Sequence, residues 1–493
     1  MTQIDSKSPI PLYYQLKRLL EEKIHSGELK PGDRIPTEHE LVHKYGISRT
    51  PIRQALAELV REGLLSRTPG RGTFVTQPDG QSSPPAATEL RVVFSDSRWR
   101  DLLESAVDLR NARFPDDPIK LDTQLVPLWD IHDHLVNAVG RGKAPDISVL
   151  DSVWVAEFAH QRHLIPLDEV DLQWSQTIQE LSYPAMLASN IYRGHLYGMP
   201  VCGDVTVLWY RRDWFEEENL LPPSTWDELV QLAAHFQEGA VRERYGLGPH
   251  PLAFVAGRQG GETTTYQLLP FLWSTGGELV AGEQILLDSP ATRRALQFLS
   301  NLIHQHDLVS PEVAACPWDY SAKAFASGSV AMALGGTYES FFIREIAAWD
   351  EAEFLERVGF VPIPAGPQGK PATLAGGMNY VLYHQSQQVK ESQGMLKMTL
   401  EPQILKPFCL HTGQIPAHAG LAHDLDPAED GFVAKTIPLL EQARTRPSLP
   451  GFARVSAQFR GMVEDVLTQK RPIDQAVSLA AERISAITDL PLG

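Results

Sequence analysis

The sequence predicts a small helical head ending in a β-hairpin, joined by a linker to a much larger α/β body. Three observations predict it. Apolar residues recur at helical spacing through residues 12–62 and then give way to a glycine-tipped hairpin pattern. The stretch QPDGQSSPPAATE is rich in Pro, Gly, Ser and Gln and has no apolar periodicity. From residue 90 onward, apolar strand segments alternate with helical ones. The division that follows is a head over 1–77, a linker over 78–89 and a body over 90–493. The body exceeds the ~250–300 residues that one core usually serves, so it should itself divide.

In the head, PLYYQLKRLLEEKIHSGEL reads as an amphipathic helix with Leu12, Leu16, Leu19 and Leu20 on one side. After the turn KPGDRIP, TEHELVHKYG reads as a short helix capped by Thr37. GIS breaks the chain, and Ser48 starts a longer helix, SRTPIRQALAELVREG. Pro51 falls in its first turn, where a missing N–H costs little. Ile52, Ala55, Leu56 and Leu59 form its apolar stripe, which puts Arg49, Thr50, Arg53 and Gln54 on the solvent arc. Two helices across a tight turn, the second with arginines near its start, suit a DNA major groove. LLSRTPGRGTFV then reads as a hairpin tipped by Pro69, Gly70, Arg71 and Gly72, with its arginine placed to reach a minor groove.

Arginines on an isolated helix most often just solvate its face. Here the whole run PLYYQL…GELKPGDRIPTEHEL…YGISRTPIRQALAELVREGLLSRTPGRGTFV resembles the GntR-family winged helix-turn-helix from end to end. That resemblance implies double-stranded operator DNA as a partner, bound by a homodimer on half-sites ~34 Å apart. It implies groove contacts from Ser48, Arg49, Thr50 and Arg53, and wing contacts from Gly70, Arg71 and Gly72. It also implies DNA-binding positions at Glu38 and His39, Glu38 matching the acidic residue that precedes the first of the paired helices. Many relatives carry arginine where this chain has His39, which implies a weaker or pH-dependent backbone contact there.

The net charge of −17 is unevenly spread: residues 1–77 carry 12 basic and 9 acidic side chains, so the head is +3 and the rest −20. A basic module beside an acidic body fits DNA binding by the head alone. Cys202, Cys316 and Cys409 are far apart with no CxxC pair, as expected in a reducing compartment. TQIDSKSPI has no apolar signal-peptide core, and no run of ~18 apolar residues could span a bilayer. A cytoplasmic protein with no membrane partner is therefore expected.

The body opens LRVVF (strand), SRWRDLLESAVDLRNARFP (helix), IKLDTQLVP (strand), WDIHDHLVNAVGRG (helix), APDISVLD (strand). This alternation predicts an α/β domain with a largely parallel sheet, whose ligands bind beyond the carboxyl ends of the strands. Asp151 stands at such an end, with Trp154 just beyond. Later blocks resemble the bacterial extracellular solute-binding proteins of carbohydrate ABC transporters, in the family's order. They are GHLYGMPVCGDVTVLWYRRDWFEEENLLPPSTWDELVQLA, LLPFLWSTGGELV, LDSPATRRALQFLSNLI, AFASGSVAMALGGTYES and VGFVPIPAGPQGKPATLAGGMNYVLY. The resemblance implies a two-lobed, periplasmic-binding-protein-like domain of type II that closes on ligand. Lobe I would comprise about 90–203 and 375–422, and lobe II about 204–374 and 423–493, with crossings near 200–204, 370–376 and 420–426.

Such relatives clamp sugars, whose C–H faces stack on aromatic rings and whose hydroxyls need polar partners. Carried over block by block, the contacts would be Asp151, Trp154, Asp204, Trp209, Tyr210, Trp273, Tyr338 and Asn379. Trp214 and Trp226 are expected to be structural, and Arg211 stands where the family often has Asn. The implied effector is a mono- or oligosaccharide. The alternative is a GntR–aminotransferase regulator using pyridoxal phosphate, but no lysine beyond residue 90 sits in an SxxK-like context. GxSxG and GxxxxGK[ST] are missing too, so neither an enzyme nor a cofactor is expected. The pairs His132/His134 and His304/His306 are spaced i, i+2, which on a helix points the rings apart, and no metal site follows.

Overall fold

The structure is a computed structural model that describes Ile4 and residues 11–68, 72–76 and 87–493. Pro69, Gly70 and Arg71 of the expected wing tip, and most of the expected linker, lie outside the described residues. The chain divides into two units, Met1–Ala86 and Ala87–Gly493.

The first unit contains α1 (Leu12–His25), α2 (Glu38–Tyr45), α3 (Arg49–Arg61), β1 (Leu65–Thr68) and β2 (Gly72–Val75). Thr37 and Glu40 form a reciprocal capping box at the start of α2, and Gly46, with φ 66°, ends it in the left-handed region. Ser48 holds the N-cap position of α3 in extended backbone, without a side-chain cap bond. Ile52, Ala55, Leu56 and Leu59 bury the inner face of α3 against Leu16, Leu20 and Leu41. β1 and β2 pair antiparallel from Leu65↔Val75 to Thr68↔Gly72. The turn before α2 is stitched to β2, since Gly32 and Ile35 donate their N–H groups to Val75 and Thr73. Helices and hairpin therefore share one core, which fixes the hairpin relative to α3.

The second unit opens with β3 (Thr88–Phe94), α4 (Arg98–Arg113), β4 (Ile119–Leu125), α5 (Leu128–Gly140), β5 (Ile147–Asp151) and α6 (Ser152–His160). β3 pairs parallel with β4 and β5, as βαβ alternation requires. Beyond them the sheet is mixed, which corrects the largely parallel sheet expected from the sequence. Its order is β4, β3, β5, Ala375–Leu382, Gly198–Arg211, Met332–Gly336, Leu252–Ala253. Ala375–Leu382 runs antiparallel to both its neighbours, and Gly198–Arg211 is antiparallel to every strand it meets.

Gly198–Arg211 joins the two lobes. Its first half pairs with Ala375–Leu382, and its second half with Met332–Gly336 and Val358–Val361. Where partners change, the Thr206 N–H donates to Leu374 O, and residue 444 lies beside Leu374 as a parallel bridge. One lobe is built on Leu90, Phe94, Trp99, Tyr380 and Leu396. The other is built on Trp226, Phe271, Leu272, Phe452 and Met462, and α6 sends Val153 into that core. Among the described residues, no helix is long and apolar enough to cross a membrane.

Candidate functional site

Two surfaces hold the candidate residues. In the first unit, Arg49, Thr50 and Arg53 are exposed along the first turns of α3, where the apolar stripe leaves them no inward option. Glu38, at the start of α2, accepts from Arg53 Nε at 2.7 Å and from Arg67 Nη2 of β1 at 3.1 Å. The Arg53 hydrogen bond, with help from Arg67, holds the Glu38 carboxyl below the usual range, so it stays charged. His39 is exposed, its ring 5.7 Å from that of His43. Gly72 begins β2 with φ 127°, a conformation that favours glycine, and a side chain there would press on Arg34. Arg67 was not expected as a site residue; strand alternation in a four-residue hairpin arm gives little sign of which side chains face the helix pair.

In the second unit the lobes meet over a charged and aromatic cluster. Asp151 caps α6, accepting from the Val153 N–H at 3.1 Å. Arg446, its side chain only 6% exposed, lies between the lobes. It donates to Glu262 Oε1 at 3.1 Å, and to Asp151 Oδ1 and Ser152 Oγ at 3.4 Å each. Its guanidinium also lies 5.9 Å from the centre of the Tyr266 ring. Glu262 accepts from Ser456 Oγ at 2.6 Å, and desolvation pushes its carboxyl up although Arg446 pulls it down. Asp204 is buried and accepts from the Tyr266 hydroxyl at 2.5 Å. Burial pushes its pKa up to about 6. Tyr266 meets the half-buried Tyr338 edge to face, with ring centres 6.0 Å apart. Two glycines make room: a Cβ on Gly376 would lie 2.6 Å from Asp204, and one on Gly336 would strike Tyr338 and Tyr266.

Of the residues expected from the sequence, the structure brings Asp151, Asp204 and Tyr338 into this cluster. Trp154 lies on α6 next to it, half-buried, its ring 5.5 Å from that of His132. Trp273 ends the helix Glu262–Trp273 and lies under the Arg444 guanidinium at 4.4 Å. Trp209 and Tyr210 sit elsewhere, and Asn379 lines a small cavity beside the cluster together with Ser152 and Gly376. Trp209 is fully buried among Phe354, Phe360 and Phe432. The Tyr210 ring lies across Gly359 and against Phe215. Asn379 is buried with its amide in use, accepting from Asn190 at 2.7 Å and donating to Leu150 O. Glu262, Tyr266 and Arg446 were not anticipated. A glutamate following two glycines at a helix start was the one available signal, and it is weak.

A cavity of about 430 Å³ opens against Tyr183, Ala185, Leu440, Glu441, Arg444 and Thr445. Two cavities of about 10 Å³ share Ala185 or Thr445 with it and reach Ser152, Ala375 and Arg446. Space of that size holds about one water.

Residues 111–403 match the bacterial extracellular solute-binding proteins, and residues 12–75 match the bacterial regulatory proteins of the gntR family. A binding protein of Brucella abortus (strain 2308) is 24% identical over 372 residues, 75% of this chain and 86% of that protein. The HTH-type transcriptional repressor NagR of Bacillus subtilis (strain 168) is 52% identical over 75 residues, 15% of this chain and 31% of the repressor. Among solved structures, maltose-bound MalE3 of T. maritima has a TM-score of 0.70 at 22% identity, covering 81% of this chain and 100% of that one. A solute-binding protein of Thermotoga lettingae bound to α-D-tagatose has a TM-score of 0.70 at 24% identity, covering 82% and 100%. The head is thus a GntR-type winged helix, and the body has the two-lobed fold of these binding proteins. Neither matching family is a family of enzymes, and the body's fold leaves the pyridoxal-phosphate alternative without support.

Proposed function

Since the chain belongs to the bacterial extracellular solute-binding protein family through residues 111–403 and bears a gntR-family head, we propose that it is a DNA-binding transcriptional regulator controlled by a carbohydrate held between its lobes. The observation that carries this reading is the union in one chain of an exposed Arg49–Thr50–Arg53 turn and a body with the two-lobed fold of solute-binding proteins. The regulator works in the cytoplasm as a homodimer on a two-fold-symmetric operator, and its targets are genes of sugar uptake or use.

On the DNA side, α3 enters the major groove while Arg71 and Gly72 of the wing reach the neighbouring minor groove. The phosphate contacts make binding fall steeply with salt. On the ligand side, sugar hydroxyls compete for the groups that Arg446 now joins, Asp151 and Glu262, and for Asp204. Trp154, Trp273 and Tyr338 offer rings to the C–H faces of the sugar. A ligand that binds one lobe arrangement better than another shifts the balance between them by its differential affinity alone. Coupling of that shift to operator affinity is typically ~1–3 kcal/mol.

The test is a thermal-shift screen of the full chain against mono- and oligosaccharides, followed by operator binding with and without the hit. At a concentration 100 times its Kd, a ligand stabilises the fold by ~2.7 kcal/mol, a readily seen rise in the body's midpoint. A saccharide that raises the midpoint and changes operator affinity supports the reading. Silence from every saccharide, with a shift from another solute class, would replace the carbohydrate part of it.

A further inference from the structure

Glu38 is the first residue of α2, yet its carboxylate takes no part in the helix cap, which Thr37 and Glu40 complete between them. Instead it accepts from Arg53 of α3 through one oxygen and from Arg67 of β1 through the other. One side chain thus ties three elements together. The two arginines are 66% and 67% exposed, against 22% for Glu38. Ion pairs this exposed contribute little to stability, so folding gives no strong reason for the arrangement.

Recognition gives one. A free arginine on a helix surface samples many rotamers and loses that freedom when it binds. Arg53 is held through Nε, and among the described residues the Nη1 and Nη2 edge of its guanidinium has no partner. That edge is a planar fork matching O6 and N7 of a guanine, the commonest specific contact in a major groove. Arg67 of β1 is held through Nη2, and its side chain is otherwise largely exposed. A carboxylate on the same surface also repels phosphates, which penalises any duplex that does not repay it with base contacts.

The geometry points to Glu38 as a splint. It fixes Arg53 to read a guanine of the operator and couples to it Arg67, a further DNA-contacting residue on the wing strand, in a role that rests on the DNA-binding reading of the head. Glu38 is then a positioning residue, and helix and wing engage DNA as one unit.

The test is selection of bound sequences from a random duplex library by the full chain and its variants, each first confirmed folded by its melting midpoint. The wild-type chain enriches a two-fold site with a fixed G·C pair in each half. Glu38→Gln keeps the other positions but tolerates other bases at that pair, with discrimination there falling about tenfold. It also binds random duplex more tightly, because a negative charge has left the surface. Arg67→Gln weakens all sequences alike and lowers the slope of log affinity against log salt by about one. An unchanged base profile for Glu38→Gln would overturn the splint. Wild-type affinity and salt slope in Arg67→Gln would overturn the wing contact. A wild-type chain that enriches no sequence is a different result, and it would remove the DNA-binding reading together with the splint.

Discussion

Replacing Arg446 by methionine tests how the lobe junction is held. The side chain is 6% exposed and serves two carboxylates, Glu262 at 3.1 Å and Asp151 at 3.4 Å. Methionine keeps much of the volume and removes the cation, leaving both acids without it. Breaking a buried pair in this way costs ~3–5 kcal/mol, mostly the penalty of the charge left behind. A body of about 400 residues melting as one unit has an unfolding entropy of about 0.85 kcal/mol/K, so the midpoint should fall by about 4–6 °C near neutral pH. The pH dependence has a definite sign. Glu262 is already raised by desolvation, and Arg446 is the strongest influence pulling it down, so the variant's carboxyl rises further while its unfolded value stays near 4.5. A group whose folded pKa is raised favours the folded state most at low pH and loses that stability as pH climbs through the raised value. The gap between variant and wild type should therefore narrow from about pH 7.5 toward about pH 5. Melts of the full chain at both pH values check it. A variant within about 1 °C of wild type at neutral pH, or a gap that widens in acid, would refute the account of this junction.

Three other outcomes are expected. Arg53→Ala abolishes operator binding in an anisotropy titration without changing saccharide affinity; equal loss of both would contradict separate DNA and ligand parts. Trp209→Ala lowers the melting midpoint, since truncating a fully buried tryptophan costs ~3–5 kcal/mol, whereas Trp154→Ala, at a half-buried ring on the edge of two cores, lowers it less and weakens saccharide binding about tenfold. Glu339 is fully buried and pushed up to about 8, so its contribution to stability falls between about pH 4.5 and 8 by up to ~1.4 kcal/mol per unit. Glu339→Gln flattens that slope, and melts across the same range measure it.

The head was legible because its determinants are local. The Thr37–Glu40 box spans one helical turn, and Ile52, Ala55, Leu56 and Leu59 form a single stripe, so the exposure of Arg49 and Arg53 follows by rotation. What escaped was the link from Glu38 to Arg67 across 29 positions, a property of the shared core of helices and hairpin. In the body, alternation gave β3 through β5 in order, but strand periodicity carries no direction, and the parallel reading failed where Ala375–Leu382 and Gly198–Arg211 turn antiparallel. Gly198–Arg211 is buried along nearly its whole length on both faces, so a period of two could not tell Trp209, which faces the core, from Asp204, which faces the cluster. Helix Glu262–Trp273 is buried throughout from Thr264 onward, which leaves no polar stripe to single out Glu262 and Tyr266.

Arg446 is the extreme case. It lies in the irregular stretch RTRPSLPG, flanked by another arginine at 444, and reaches the cluster because residue 444 is bridged beside Leu374, 70 positions earlier. The two arginines then diverge: Arg444 turns to Glu278 and the face of Trp273, while Arg446 turns inward to Asp151 and Glu262. Nothing in their shared neighbourhood distinguishes them, since each is followed by a small or cyclic residue and neither lies on a periodic element. The difference is made by what each meets: a partly exposed rim with one carboxylate, or a desolvated junction with two. A desolvated cation needs its partners far more than an exposed one does. Loss of Arg446 should therefore be felt as stability and lobe balance, and loss of Arg444 chiefly as a change at the mouth of the larger cavity.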